Sequence, residues 1–190
     1  MMILLLSGPA AAGKSTICKH LAEDHGFAPI KSSLYLRSLV KPRGTEITRE
    51  LLQEISDRLD LETDFKWLVV DVAVPQMAKR RRQEFWFVDN VRKFEQVDMF
   101  SKAFPGQILH CHITAPEDVL KSRLLNRSVV DGNIPYEETI EERITHPNEV
   151  SARSLEATAS LVVDTSQNSA SSACSVIMRR VRALCGEGQS

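Results

Sequence analysis

Gly8, Gly13, Lys14 and Ser15 stand at the spacing G-x-x-x-x-G-K-S, within the run Gly8-Pro9-Ala10-Ala11-Ala12-Gly13-Lys14-Ser15 that continues into Thr16. These residue types at this spacing suit a chain of phosphates. Glycines 8 and 13 let the backbone turn and approach an anion where a Cβ would obstruct it, so successive N–H groups through Ala10, Ala11 and Ala12 can surround a β-phosphate. Lys14 brings a positive charge to the β- and γ-phosphates, which makes it a candidate catalytic group. The Ser15 hydroxyl is a ligand type that Mg²⁺ accepts. The helix expected to start here adds its own partial positive charge. The implied cofactors are ATP and Mg²⁺, and the implied chemistry is phosphoryl transfer.

A second landmark is Phe85-Trp86-Phe87-Val88-Asp89, an apolar run that ends in a carboxylate. This is the pattern of a central parallel strand whose C-terminal end meets a ligand. Asp89 is therefore a candidate for the Mg²⁺ shell beside Ser15. The next residue is Asn90, so the second acid that a mechanical ATPase uses to activate water is missing. The guanine-reading N-K-x-D and the switch D-x-x-G of regulatory GTPases are also absent from the chain. A kinase needs neither, because its nucleophile is a substrate oxygen aligned by the site.

The elements that must hold these groups follow from hydrophobic patterning. Strands are expected at residues 3–6, 27–30, 85–89, 108–113 and 161–164, and helices at 15–24, 33–40, 48–61, 116–126 and 173–184. Thr48 is the expected cap of the helix that it opens. A further helix is expected to start with Asp64 as its cap and to run to about residue 82, kinked or interrupted at Pro75. Strands alternating with helices imply an α/β fold, a three-layer α/β/α P-loop NTPase fold with a central parallel five-stranded sheet. One domain is expected over residues 1–185, with a helical acceptor-binding region at about 30–82, a small lid at about 123–137 and a frayed tail at 186–190.

The phosphate loop, Ser32-Ser33-Leu34-Tyr35-Leu36-Arg37, Phe87-Val88-Asp89-Asn90-Val91-Arg92 and Arg123-Leu124-Leu125-Asn126-Arg127 occur in that order. In this layout the chain resembles the nucleoside monophosphate kinases over nearly its whole length. It is similar in particular to the deoxynucleoside monophosphate kinase and dephospho-coenzyme A kinase-like branch, where a strand reading roughly V-D-G-V-R precedes a helix. The resemblance implies that Arg37 and Arg92 hold the acceptor phosphate, and that Arg123 and Arg127 close on the transferring phosphoryl group as a lid. It also implies a small-molecule acceptor, most simply a nucleotide, with a hydroxyl acceptor or a non-catalytic nucleotide-binding module as alternatives. Asn90 stands where the branch commonly has Gly, which leaves the acceptor's identity open.

Each of these residues has a plainer reading. Arginines on helix surfaces are usually solvated, and cations near a helix C-terminus suit the dipole. His110 and His112 share one face of a strand and read as core groups, since no further metal ligands are identified. His146-Pro147-Asn148-Glu149 reads as a loop and helix cap, although Glu149 could meet a base, a sugar hydroxyl or a lid arginine. Lys79-Arg80-Arg81-Arg82 reads as a solvated helix end.

Composition sets the outer limits. A chain of 190 residues with 43% hydrophobic and 26% charged residues is long enough for one ordinary core. Its net charge of -1 argues against a nucleic-acid polymer as partner. The four cysteines are widely spaced, and the apolar start at residues 1–6 is too short for a signal-peptide core. The expectation is a cytoplasmic protein, monomeric or homodimeric, without a membrane partner.

Overall fold

The computed structural model describes residues 1–40, 46–89, 91–130, 145 and 147–187, with positions 49, 127–130 and 187 described by backbone alone. Strand β1 (Met2–Ser7) is the centre of a five-stranded parallel sheet in the order β2-β3-β1-β4-β5, with β2 (Ala28–Pro29), β3 (Phe85–Val88), β4 (Ile108–Thr114) and β5 (Leu161–Asp164). The expected α/β architecture is the one observed.

The period of β1 divides the core. Met2, Leu4 and Leu6 face one layer, where α1 (Lys14–His25) and the final helix α8 (Ala170–Glu187) bury Ile17, Leu21, Ile177 and Val181. Ile3 and Leu5 face the other layer, against Trp67, Leu68, Val72 and Phe100. Burying a strand on both faces requires an uninterrupted apolar run, and Met2 to Leu6 supplies it.

Between β2 and β3 the chain forms α2 (Ser33–Ser38), α3 (Arg49–Glu62), a π-helical turn (Leu68–Ala73) and α4 (Val74–Ala78). The Thr48 side chain accepts a hydrogen bond from the Leu51 N–H at 3.2 Å, so it caps α3 as expected. Asp64 does not cap a helix. Asp64 and Phe65 both adopt left-handed backbone, with φ of 51° and 60°, and turn the chain sharply between α3 and the π-helical turn. The turn is pinned by Trp67, which lies in the core and donates Nε1–H to the buried Asp60 at 2.7 Å. Beyond β3 come α5 (Phe94–Ala103), α6 (Glu117–Val130) and α7 (Pro147–Ser154). Residues 131–144, which hold most of the expected lid, and 188–190 of the expected tail lie outside the described residues. No helix among the described residues is long and apolar enough to cross a membrane.

Candidate nucleotide and acceptor site

The phosphate loop joins β1 to α1 at the C-terminal edge of the sheet. Its shape is enforced by contact. Gly8 has φ 127°, and a Cβ there would lie 2.0 Å from the Ile113 carbonyl oxygen on β4. Gly13 has φ 93° and serves as the N-cap of α1 with no side-chain cap, which leaves the first N–H groups of that helix for a ligand. Ala11, at φ 62°, holds a left-handed conformation that costs a non-glycine residue about 1–2 kcal/mol, strain of the kind stored at functional sites.

Lys14 folds back over the loop and donates to the carbonyls of Gly8 and Pro9, the latter at 2.7 Å. Burial pushes its pKa down to about 8; among the charges around it, Glu149 and Asp89 raise it and Arg92 lowers it. The loop lysine, Asp89 and Arg92 therefore share one electrostatic neighbourhood. Ser15 and Asp89 are exposed, and neither side chain has a hydrogen bond among the described residues. A hydroxyl and a carboxylate are the hard oxygen donors that Mg²⁺ takes while keeping its remaining positions for water and phosphate, so this pair fits the ion.

Two cavities bear on the site, and the phosphate loop lines one of them. The larger, of about 510 Å³, is lined by Ala11, Gly13, Thr16, Ile17, Arg123, Asn126, Thr165, Asn168 and Ala170. Thr165, the first residue after β5, is part of its wall. Its hydroxyl donates to the Ala12 carbonyl at 2.8 Å, and its hydroxyl and carbonyl oxygens each accept from Arg123 at 2.9 Å. Arg123 reaches the Ala11 carbonyl as well, at 3.3 Å, so it braces the loop from α6. Nothing local marks Thr165 beyond its place at the end of a short strand, because its partners are up to 153 residues away.

The smaller cavity, of about 140 Å³, lies under α3 and is lined by Leu36, Leu52, Gln53, Asp57, Trp67, Arg92, Lys93 and Asn148, among others. Arg92 enters it from the turn after β3, bonded to Gln53 at 3.4 Å. Gln96 holds that turn by accepting from the N–H groups of Arg92 and Lys93 at 3.0 and 3.3 Å. Lys93 bridges Asp57 at 2.6 Å and Asp60 at 2.8 Å, which ties α5 to α3 across the cavity. Nothing in the sequence distinguishes Asp60, Lys93 and Gln96, because polar residues on amphipathic helices ordinarily face solvent. Arg37 is exposed on α2, its side chain has no hydrogen bond or ion pair among the described residues, and it does not line the cavity. The side chain of Arg127 and all of Asn90 and His146 lie outside the described residues.

Glu149 is nearer the site than a plain helix cap would be. Its carboxylate accepts a hydrogen bond from the Ala10 N–H of the phosphate loop. Beneath the loop, Ser7 Oγ bonds His110 Nε2 at 2.8 Å and His112 Nδ1 at 2.9 Å, and register explains the cluster, since Ser7 pairs with His112 and Leu5 with His110. Burial, helped by His110 and Lys14, lowers the pKa of His112 to about 4, so both rings act as neutral core groups near pH 7. No cluster of three or more potential metal-ligating residues occurs among the described residues.

Comparison with known proteins bears on the family and the fold. The AAA domain family model (AAA_18) matches residues 4–146. A UPF0200 protein of Thermococcus onnurineus is 30% identical over 144 residues, covering 75% of this chain and 76% of the relative. A cytidylate kinase of Haloarcula marismortui is 28% identical over 138 residues, covering 72% of this chain and 62% of that enzyme. Among solved structures, a gluconokinase from Sinorhizobium meliloti superposes with a TM-score of 0.58 at 16% identity, covering 98% of this chain and 97% of the other, which is a likeness of fold. With a phosphate loop on a parallel sheet, a family match across most of its length and kinases among its relatives, the chain belongs to the AAA_18 family of P-loop kinase domains, related to the nucleoside monophosphate kinases.

Proposed function

We propose that the protein transfers the γ-phosphoryl group of ATP to the phosphate of a nucleoside or deoxynucleoside monophosphate. The observation that carries this reading is a cavity walled by the phosphate loop together with a second, smaller cavity in which Arg92, whose charge acts on Lys14 of the loop, stands with apolar Leu36, Leu52 and Trp67. Apolar side chains beside a guanidinium, with the second cation, Lys93, engaged by Asp57 and Asp60, suit a base and a phosphate. The larger cavity, walled by Arg123, Thr165 and Asn168, takes the donor's base and sugar.

In this reading Lys14 leaves its resting carbonyls to meet the β- and γ-phosphates, and the loop N–H groups hold the donor still. Arg92 orients the acceptor phosphate, with Arg37 reaching it from α2. Arg123 steadies the loop while Arg127 and the residues beyond it supply the lid. Ser15 and Asp89 would hold Mg²⁺, which when bound neutralises phosphate charge. Catalysis is then positioning and electrostatic stabilisation rather than proton transfer. The four free cysteines, three of them buried, suit a reducing cytoplasm.

The test is product detection by mass after incubation with ATP, Mg²⁺ and a panel of ribo- and deoxyribonucleoside monophosphates plus dephospho-coenzyme A. A nucleoside diphosphate confirms the proposal and names the base. Phosphorylated dephospho-coenzyme A selects a hydroxyl acceptor instead, and tight ATP binding with no product from any acceptor selects the non-catalytic module.

A further inference from the structure

Glu149 lines neither cavity, yet its carboxylate takes the N–H of Ala10, one of the groups that the loop offers to phosphate. One amide hydrogen cannot serve a carboxylate and a phosphate oxygen equally, and two anions sharing one cradle repel each other. Nucleotide entering the loop must therefore displace Glu149. The helix that carries it is tied elsewhere in the site. Asn148 donates to Asp57 of the smaller cavity at 3.4 Å, Ser151 donates to the Arg92 carbonyl at 2.8 Å, and Arg153 pairs with Glu117 on α6 at 2.7 Å. A single two-turn helix thus touches the phosphate loop, the acceptor cavity, the arginine-bearing turn and the donor-side helix.

We propose that Glu149 is a positioning residue that stands in for a donor phosphate, holding the empty loop and, when nucleotide displaces it, shifting α7 and so the Asn148 and Ser151 contacts that shape the acceptor cavity. The proposal rests on the nucleotide-binding reading given above. Its energetic content is linkage: if donor entry and the position of α7 are coupled, removing the competing carboxylate must tighten donor binding. The carboxylate also sits close enough to Lys14 to help keep it charged in the empty loop, so the stand-in supplies part of what the phosphates later supply.

The experiment is calorimetric titration of the wild-type protein, Glu149→Gln and Glu149→Ala with the β,γ-imido analogue of ATP and Mg²⁺. It is paired with hydrogen exchange of the α7 amides in the wild type, with and without the analogue. The expected result is binding tighter by about tenfold in both variants, and exchange faster by about tenfold over residues 148–154 when the wild type is loaded. A merely structural tie would make the variants bind equally or more weakly, and that outcome overturns the proposal. If neither variant folds, the wild-type exchange decides, and α7 protection unchanged or increased by the analogue overturns it. Binding by the wild type with no effect of either variant removes this inference alone, whereas absence of binding by all three proteins removes the nucleotide-binding reading and this inference with it.

Discussion

Lys14 carries the most informative charge in the molecule. Its pKa is lowered to about 8 by burial, so in the empty protein it begins to lose its proton just above neutrality. Phosphates need the charged form. Donor affinity should be flat below about pH 8 and then fall, approaching tenfold per pH unit, with a proton taken up on binding near pH 8. Stability should move the other way. An unfolded lysine keeps its proton up to about 10.5, so the unfolded state binds more protons between about 8 and 10.5, and stability rises with pH across that window. Calorimetry in buffers of different ionisation enthalpy, beside urea unfolding at the same pH values, separates the two; Lys14→Met should abolish both trends. Gly8 offers a steric counterpart. Gly8→Ala places a Cβ against the Ile113 carbonyl at 2.0 Å and should cost more than about 4 kcal/mol in denaturant unfolding. Gly106→Ala has φ 73° but open space, and should cost only about 1 kcal/mol.

At the scale of elements, the link between α3 and α5 is uneven. Asp60 is 1% exposed and receives Lys93, Trp67 and Gln96, whereas the Asp57 side chain is 43% exposed and shares the same lysine. Removing the buried partner leaves an indole N–H and part of a cation without an acceptor. Asp60→Ala should therefore lower stability by about 3–5 kcal/mol, and Asp57→Ala by no more than about 1 kcal/mol, in equilibrium unfolding. Equal losses would mean that burial does not set the strength of these pairs. This link also shows where sequence reading stops. The phosphate loop was legible because its chemistry is local, eight residues between an apolar strand and an amphipathic helix. Asp60, Lys93, Thr165 and Glu149 act across tens of residues, through partners that no local period marks. The turn at Asp64 and Phe65 and the π-helical turn after it were illegible for a related reason. Phe65, Leu68, Val69, Val72 and Val74 read as an ordinary α-helical stripe, and it is Trp67 docking on Asp60 that accompanies the different winding.

Among the described residues two apolar layers pack on one sheet, and the Ser7, His110 and His112 cluster sets polar groups at the sheet's centre, next to the phosphate loop. The sequence placed both histidines on one strand face and read them as core groups; their shared partner, Ser7, required the register of β1 against β4. Such a cluster ties stability to acid. The pKa of His112 lies at about 4, lowered first by burial and then by His110 and Lys14, against about 6.5 in the unfolded chain. Between those values the unfolded state binds the extra proton, so stability is lost as pH falls from about 6.5 to about 4, by up to about 3 kcal/mol. Carboxylates titrate in the same range, and Glu156 lies 3.7 Å from His112 Nε2, so the slope must be read as a difference between proteins. His112→Asn keeps a polar group near Ser7 but carries no titrating ring. Its stability should fall less steeply than that of the wild type over that interval, whatever its offset at pH 7, when followed by urea unfolding at half-unit steps. Parallel curves would show that His112 takes up its proton over the same pH range in both states, and would transfer the acid sensitivity of the fold to its carboxylates.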